Sequence, residues 1–274
     1  MPSHNSIPFE GNLLLDALGA RDRALLAPHL VLAECPRGTV LFEVDDDVSQ
    51  VTFPLHRTIA ALIVPLRGGR TVETATVGHE GAIGGVVSQG YLPAFTRCVV
   101  QIEGAVLRMD ADRLREAKRA SPTLDDLFVR YADCLLAQIL QSVACNAAHP
   151  IEQRVVRWLL SLQDRLGTDA LPVTQNMLAS MLGVGRSYLT GVLGTLQDQG
   201  LIVVGRGRIH LLDRTRAEAA CCECHARVRR HFMSVMGAVS TPDGEILAVE
   251  ATAVSSEPSS RSENCPPGPQ EAAR

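Results

Sequence analysis

Arg186, Ser187, Tyr188 and Thr190 crowd the start of a stretch that reads as a helix. Their side chains suit hydrogen bonding to nucleic-acid base edges: arginine as a two-pronged donor, the hydroxyls as single donors or acceptors. Leu189, Val192, Leu193 and Leu196 follow at i, i+3, i+4 and i+7, which predicts a helix over 186–199 with one buried face. Upstream, Thr174 is a good N-cap residue and Gln175 follows it, so a first short helix should begin there. Gly183 stands where a tight turn between the two helices needs a left-handed residue. Downstream, LIVV and RIHLL read as a strand pair whose tip presents Arg206 and Arg208, groups suited to phosphate. An ordinary helical hairpin in a core is the competing reading. The arginine-tipped hairpin argues against it and predicts a winged helix-turn-helix, with 186–190 in a DNA major groove and Thr174, Gln175, Arg206 and Arg208 on the backbone.

A second cluster has metal-binding chemistry: Cys221, Cys222, Cys224 and His225. A structural zinc site needs four converging ligands, usually as two separated pairs. Residues 214–236 read as one helix, on which adjacent positions point in different directions. Cys221, Cys224 and His225 share a face, but the sequence offers no second pair, only isolated Cys35, Cys98, Cys134, Cys145 and Cys265. No metal and no cofactor are therefore expected. His79-Glu80, in a glycine-rich loop, reads as a surface turn. Gly-x-Ser-x-Gly, a phosphate loop with lysine and a His-x-x-x-His pair are all missing, so no enzyme is expected. A cupin-like metal-dependent enzyme is the alternative class, but His56 is the one strand-region histidine besides His79. A cyclic-nucleotide-binding scaffold that does not touch DNA is the third class.

The elements that must position these groups follow from pattern. The chain has 274 residues, 46% of them hydrophobic and 20% charged, enough for two domains with buried cores. Its net charge of −4 is unevenly spread: residues 150–235 hold 11 Arg against 7 Asp/Glu, whereas residues 1–149 hold 13 Lys/Arg against 17 Asp/Glu. A basic segment on an acidic chain fits a DNA-binding module. Residues 1–29 read as leader helices. The runs VLAEC, TVLFEV, VTFPL, TIAALIVPL, RTVETATV, CVVQI and AVLRM predict a β jelly roll or barrel over 30–120. Ser121-Pro122 then opens a long helix over 121–148, ended by His149-Pro150. Leu127, Tyr131 and Leu135 follow coiled-coil spacing and predict a two-fold seam. Residues 149–236 form the winged helix-turn-helix, and 237–274, rich in Ser, Pro, Glu and Ala, a disordered tail. The fold class is α+β. Neither a secretion signal nor an uncharged apolar run long enough for a bilayer is evident, so no membrane partner and a cytoplasmic location are expected.

The order of elements resembles the Crp/Fnr family of bacterial transcription regulators over about residues 10–236. HPIEQRVVRWLL (149–160), LPVTQNMLASMLGVGRSYLTGVLGTLQDQGLI (171–202) and RGRIHLLDR (206–214) carry the resemblance, with VGHEGAIGG (77–85) and VVQIEGAVLRM (99–109) resembling the cyclic-nucleotide-binding fold. It implies a jelly-roll sensor, a dimer helix, and a homodimer reading a two-fold-related double-stranded DNA operator. RNA polymerase and a small-molecule effector of unknown identity are further implied partners. Gly81, Gly84, Gly85 and Arg97 would then line the effector pocket. Members that bind cyclic AMP carry Glu after Gly in this cassette; here the motif reads Ile83-Gly84-Gly85. Without the ribose acceptor, cyclic AMP is not expected to be the signal.

Overall fold

The computed structural model describes residues 10–69, 71–86, 93–240 and 246–248. Its first helices are not a detached leader. Asn12, fully buried, caps α1 (Leu13–Asp16) through Oδ1, while its Nδ2 donates to the carbonyls of Pro54 and Gly81 at 2.8 Å each. Leu14, Leu15 and, at the end of α2 (Ala20–Leu26), Leu26 lie in one core with Phe53, Leu107 and Leu124. The amide of Asn12 thus fixes the segment, and burial of its leucines makes it part of the sensor core.

Seven strands follow: β1 (Val31–Cys35), β2 (Val40–Phe42), β3 (Gln50–Pro54), β4 (Ile59–Pro65), β5 (Thr71–Val77), β6 (Arg97–Ile102) and β7 (Gly104–Asp110). They form two antiparallel sheets, β1-β7-β3 and β2-β6-β4-β5, as the strand runs predict. Along β6 buried Cys98, Val100 and Ile102 alternate with half-buried residues, whereas β3 is buried continuously from Val51 to Pro54.

Helix α3 (Ala111–Ala120) leads to α4 (Pro122–Ala148). Ser121 caps α4 at the Leu124 N–H and donates to Asp22 at 2.6 Å. The predicted seam needs correction. Leu127 and Tyr131 are buried in their own jelly roll; the Tyr131 hydroxyl donates to the Ala82 carbonyl at 3.1 Å, and Phe128 meets Phe53 edge to face. Leu135 packs on Ala60, Val77, Ile83 and Cys98. The exposed apolar stripe is Val129 (58%), Leu136 (53%), Leu140 (60%) and Val143 (64%). Both faces carry heptad spacing, and the sheets claim the face with the larger rings. α4 is also long enough to cross a membrane, with a mean hydropathy of 1.2 over its most apolar stretch. Its inner face is nonetheless packed, with Gln138 donating to the Thr76 carbonyl.

The rest of the chain forms α5 (Ile151–Leu166), β8 (Ala170–Leu171), α6 (Gln175–Leu182), α7 (Arg186–Asp198), β9 (Ile202–Gly205), β10 (Arg208–Leu211), α8 (Arg214–Ala220) and α9 (Cys224–Met236). One core joins Val155, Leu159, Leu178, Leu189, Leu193, Leu196 and Ile209. The single helix expected over 214–236 is broken at Cys221–Glu223. Asp164 explains the break: it accepts from Arg214 Nη2 at 2.8 Å, His225 Nε2 at 2.8 Å and Arg229 Nη1 at 2.6 Å. A straight helix would hold residues 214 and 229 about 22 Å apart, so the chain folds back to reach one carboxylate. After Gly237 the chain is not irregular at once: β11 (Ala238–Ser240) pairs antiparallel with β12 (Ile246–Ala248). The remainder of the expected tail, 241–245 and 249–274, lies outside the described residues.

Candidate nucleic-acid interface

Thr174 caps α6 as expected, its hydroxyl accepting from the Met177 N–H at 3.2 Å. Gly183 closes that helix at φ 67°, the left-handed conformation the turn requires. Helix α7 buries Leu189, Val192, Leu193 and Leu196 against α5 and α6. This leaves Arg186, Ser187, Tyr188 and Thr190 exposed together at its N-terminal end. The Thr190 hydroxyl lies 3.1 Å from Gln175 Oε1 and 3.0 Å from the Arg186 carbonyl, so it links the two helices. The side chains singled out from sequence therefore share one surface.

Strands β9 and β10 pair with Arg208 opposite Gly205, which puts Arg206 and Gly207 at the tip. Gln197 of α7 anchors the hairpin by accepting from the Val204 N–H at 2.8 Å. β8 adds a third strand, in the order β8-β10-β9, which the two-residue run Ala170-Leu171 did not reveal. A cleft of about 220 Å³ separates the wing from the helices. Thr174, Gln175, Asn176, Arg186 and Arg208 line it, and Asn176 was missed because nothing in its spacing marks it. Arg186 and Arg208 line one opening with the first residues of α6, an arrangement that can hold a phosphate beside the exposed start of α7.

Residues 153–219 match the Crp-like helix-turn-helix domain. The C-terminal module is a Crp-like helix-turn-helix domain. No curated protein matches the chain in sequence. Among solved structures it resembles FixK2 from Bradyrhizobium japonicum, with 15% identity, 70% of this chain and 98% of that one covered, and a TM-score of 0.62. The c-di-GMP responsive regulator CLP of Xanthomonas campestris gives 17%, 71%, 100% and 0.59. A CRP/FNR-family transcriptional regulator from Thermus thermophilus gives 18%, 69%, 97% and 0.58. The chain thus has the Crp/Fnr-type fold: a cyclic-nucleotide-binding-like jelly roll, a long helix and the winged helix-turn-helix.

The Crp-like domain is docked on the jelly roll. Trp158 Nε1 of α5 donates to Glu73 Oε1 of β5 at 3.1 Å. Arg165 Nε lies 2.8 Å from Glu80 Oε1. Thr71 and Ser180 hydroxyls meet at 2.9 Å, bringing α6 against β5. Burial pushes the Glu73 carboxyl up to about 7, against the opposing pull of the Trp158 N–H, Arg157 and Arg165. His79, expected at a surface turn, is buried beside this contact, and burial lowers its pKa.

The effector residues divide. Gly84 and Gly85 line a cavity of about 750 Å³ between the sheets, α3 and α4. Gly81 does not; it lies against the Tyr131 ring, which leaves no space for a side chain. Arg97 does not either, because its Nε pairs with Glu43 at 3.1 Å at the start of β6. The described cations at the cavity are Arg113 and Arg115 of α3, paired with Glu116 and Asp112. Gly85 has φ 61°, and a Cβ there would meet Val51 Cγ2 at 2.6 Å, so the carboxylate found in cyclic-AMP-binding relatives cannot be accommodated without movement.

Proposed function

We propose that the protein is a sequence-specific DNA-binding transcription regulator, a homodimer on a two-fold-related operator, and not an enzyme. The observation that carries this reading is the common exposed surface of Arg186, Ser187, Tyr188 and Thr190, beside a wing with Arg206 at its tip and Arg208 at the start of its second strand. Two such surfaces related by a dyad would meet successive major grooves about 34 Å apart. The exposed stripe Val129, Leu136, Leu140 and Val143 supports dimerisation through α4, since apolar residues at 7-, 4- and 3-residue spacing favour a paired helix. Thr174, Gln175, Arg206 and Arg208 take the backbone role. The protein works in the cytoplasm, with RNA polymerase as its further macromolecular partner.

The jelly roll holds a small-molecule effector other than cyclic AMP. Gly85 offers no ribose acceptor, and Arg97, the expected phosphate partner, pairs with Glu43 instead. The test is selection of bound sequences from a random duplex pool, followed by titration of the winner against scrambled DNA. Enrichment of an inverted repeat supports the reading, and equal affinity for both duplexes refutes it. Cyclic AMP, cyclic GMP and c-di-GMP, to which the Xanthomonas regulator responds, are then titrated into the complex.

A further inference from the structure

Four side chains converge where α4 ends and the α8–α9 break begins. They are Cys145, His149, Cys222 and Cys224, and their ligating atoms all lie within 4.8 Å of one another. Cys145 Sγ is 3.6 Å from Cys222 Sγ, and Cys224 Sγ is 3.5 Å from His149 Nδ1. In a tetrahedral zinc site with Zn–S of about 2.3 Å and Zn–N of about 2.0 Å, the corresponding edges are about 3.8 and 3.6 Å. The observed spacings fit one mononuclear ion. The sulfurs of an iron–sulfur cluster, bound to different metals, would stand further apart.

The surroundings also fit. The three cysteines are buried and form their own cluster. His149 turns its other nitrogen, Nε2, to Glu223 Oε2 at 3.3 Å, the carboxylate–histidine arrangement that fixes a metal-binding imidazole. Gln141 Nε2 donates to Cys224 Sγ at 3.0 Å, a bond that favours a thiolate. Arg157 of α5 is within electrostatic reach of Cys145, and its buried Nε has no hydrogen-bond partner among the described residues. Three thiolates, a neutral imidazole and a divalent cation carry net −1, which Arg157 offsets.

We propose that Cys145, His149, Cys222 and Cys224 form a Cys3His site for a zinc-type divalent ion. Binding exchanges three thiol protons for one ion, with no change of oxidation state. Cys145 and His149 stand one turn apart at the end of α4, Cys222 lies in the break and Cys224 opens α9. The ion therefore ties the helix-turn-helix domain to the long helix beside His149-Pro150. The separated pairs of such a site are Cys-x-x-x-His and Cys-x-Cys, 77 residues apart at Cys145 and Cys222.

The test uses the full chain, stripped of metal and kept in reducing buffer, and titrated with cobalt(II). One equivalent should give the visible bands of tetrahedral cobalt and a sulfur-to-metal charge-transfer band. Both should vanish in Cys222→Ser and Cys224→Ser and persist in Cys221→Ser, whose sulfur lies outside the group. His149→Cys should retain cobalt with a stronger charge-transfer band, an outcome that misfolding would not produce. A chain that takes up no cobalt, or bands that survive Cys222→Ser or Cys224→Ser, overturns the proposal. So does recovery from alkylated cell lysate of metal-free protein with Cys145 and Cys222 joined as a disulfide.

Discussion

Arg165 and Glu80 form a buried ion pair, Nε to Oε1 at 2.8 Å, that joins the helix-turn-helix domain to the glycine-rich turn of the jelly roll. Each side chain is only 12% exposed. Burial alone would raise the Glu80 carboxyl, but Arg165, His79 and the Gly78 N–H hold it below the usual carboxylate range. Arg165 also donates to the carbonyls of Ser161 and Thr76. Removing one partner strands the other charge. Glu80→Gln and Arg165→Met should each cost about 3 kcal/mol in urea unfolding, and Glu80→Leu with Arg165→Met less than their sum. Because the folded pKa of Glu80 is depressed, its contribution is present above its ordinary value of 4.5 and lost as pH falls through the folded value. Glu80→Gln should flatten that part of the acid limb.

Glu73 has the opposite sign. Its folded pKa, about 7, lies above the ordinary 4.5, so the folded state takes up a proton on this group. Its stabilising effect is complete below 4.5 and declines as pH rises, until it is lost above about 7. Glu73→Gln keeps an acceptor for Trp158 and should remove this dependence. Thermal melting of both proteins between pH 5 and 8 checks it, and parallel curves would defeat the assignment.

On DNA, Arg186→Ala should cost about 1–3 kcal/mol on the selected operator and relax preference at one base pair. Arg208→Ala should weaken all duplexes alike and lower the salt slope by about one. Fluorescence anisotropy at several salt concentrations separates the two behaviours.

In assembly, Leu136→Asp with Leu140→Asp should yield a folded monomer by sedimentation. Leu127→Asp should instead lower the melting temperature of the sensor domain, because that side chain lies inside the jelly-roll core. A wild type that sediments as a monomer at micromolar concentration would remove the α4 seam.

For the effector cavity, calorimetry with cyclic AMP should detect no binding below about millimolar. Arg97→Ala should leave any observed ligand affinity unchanged, since Arg97 is paired with Glu43 outside the cavity. Loss of micromolar binding in Arg97→Ala would reverse this.

Local pattern made the strands, Gly183, the Thr174 cap and the recognition surface legible, because each depends on neighbours in sequence. What failed was long-range. Leu127 and Tyr131 have the spacing of a coiled coil, and nothing local says that a sheet claims them first. The break at Cys221–Glu223 answers to Asp164, more than fifty residues upstream, so a continuous helix was the natural expectation. That expectation in turn hid the convergence of Cys222 and Cys224 on Cys145 and His149. Arg97 lies near the phosphate cassette in sequence, but its partner, Glu43, comes from the end of the neighbouring strand β2, 54 residues upstream.

The docking of α5 and α6 on β5 has a mechanical consequence. His149-Pro150 separates α4 from α5, but Trp158–Glu73, Arg165–Glu80 and Thr71–Ser180 fasten the segment after it to the jelly roll. A joint pinned at three points is a poor hinge. In the homodimer proposed above, the softer coordinate would then be the scissor angle between the two long helices. An angular change there would be multiplied by the length of the arm, so that a small shift near the cavity would alter the spacing of the two recognition helices.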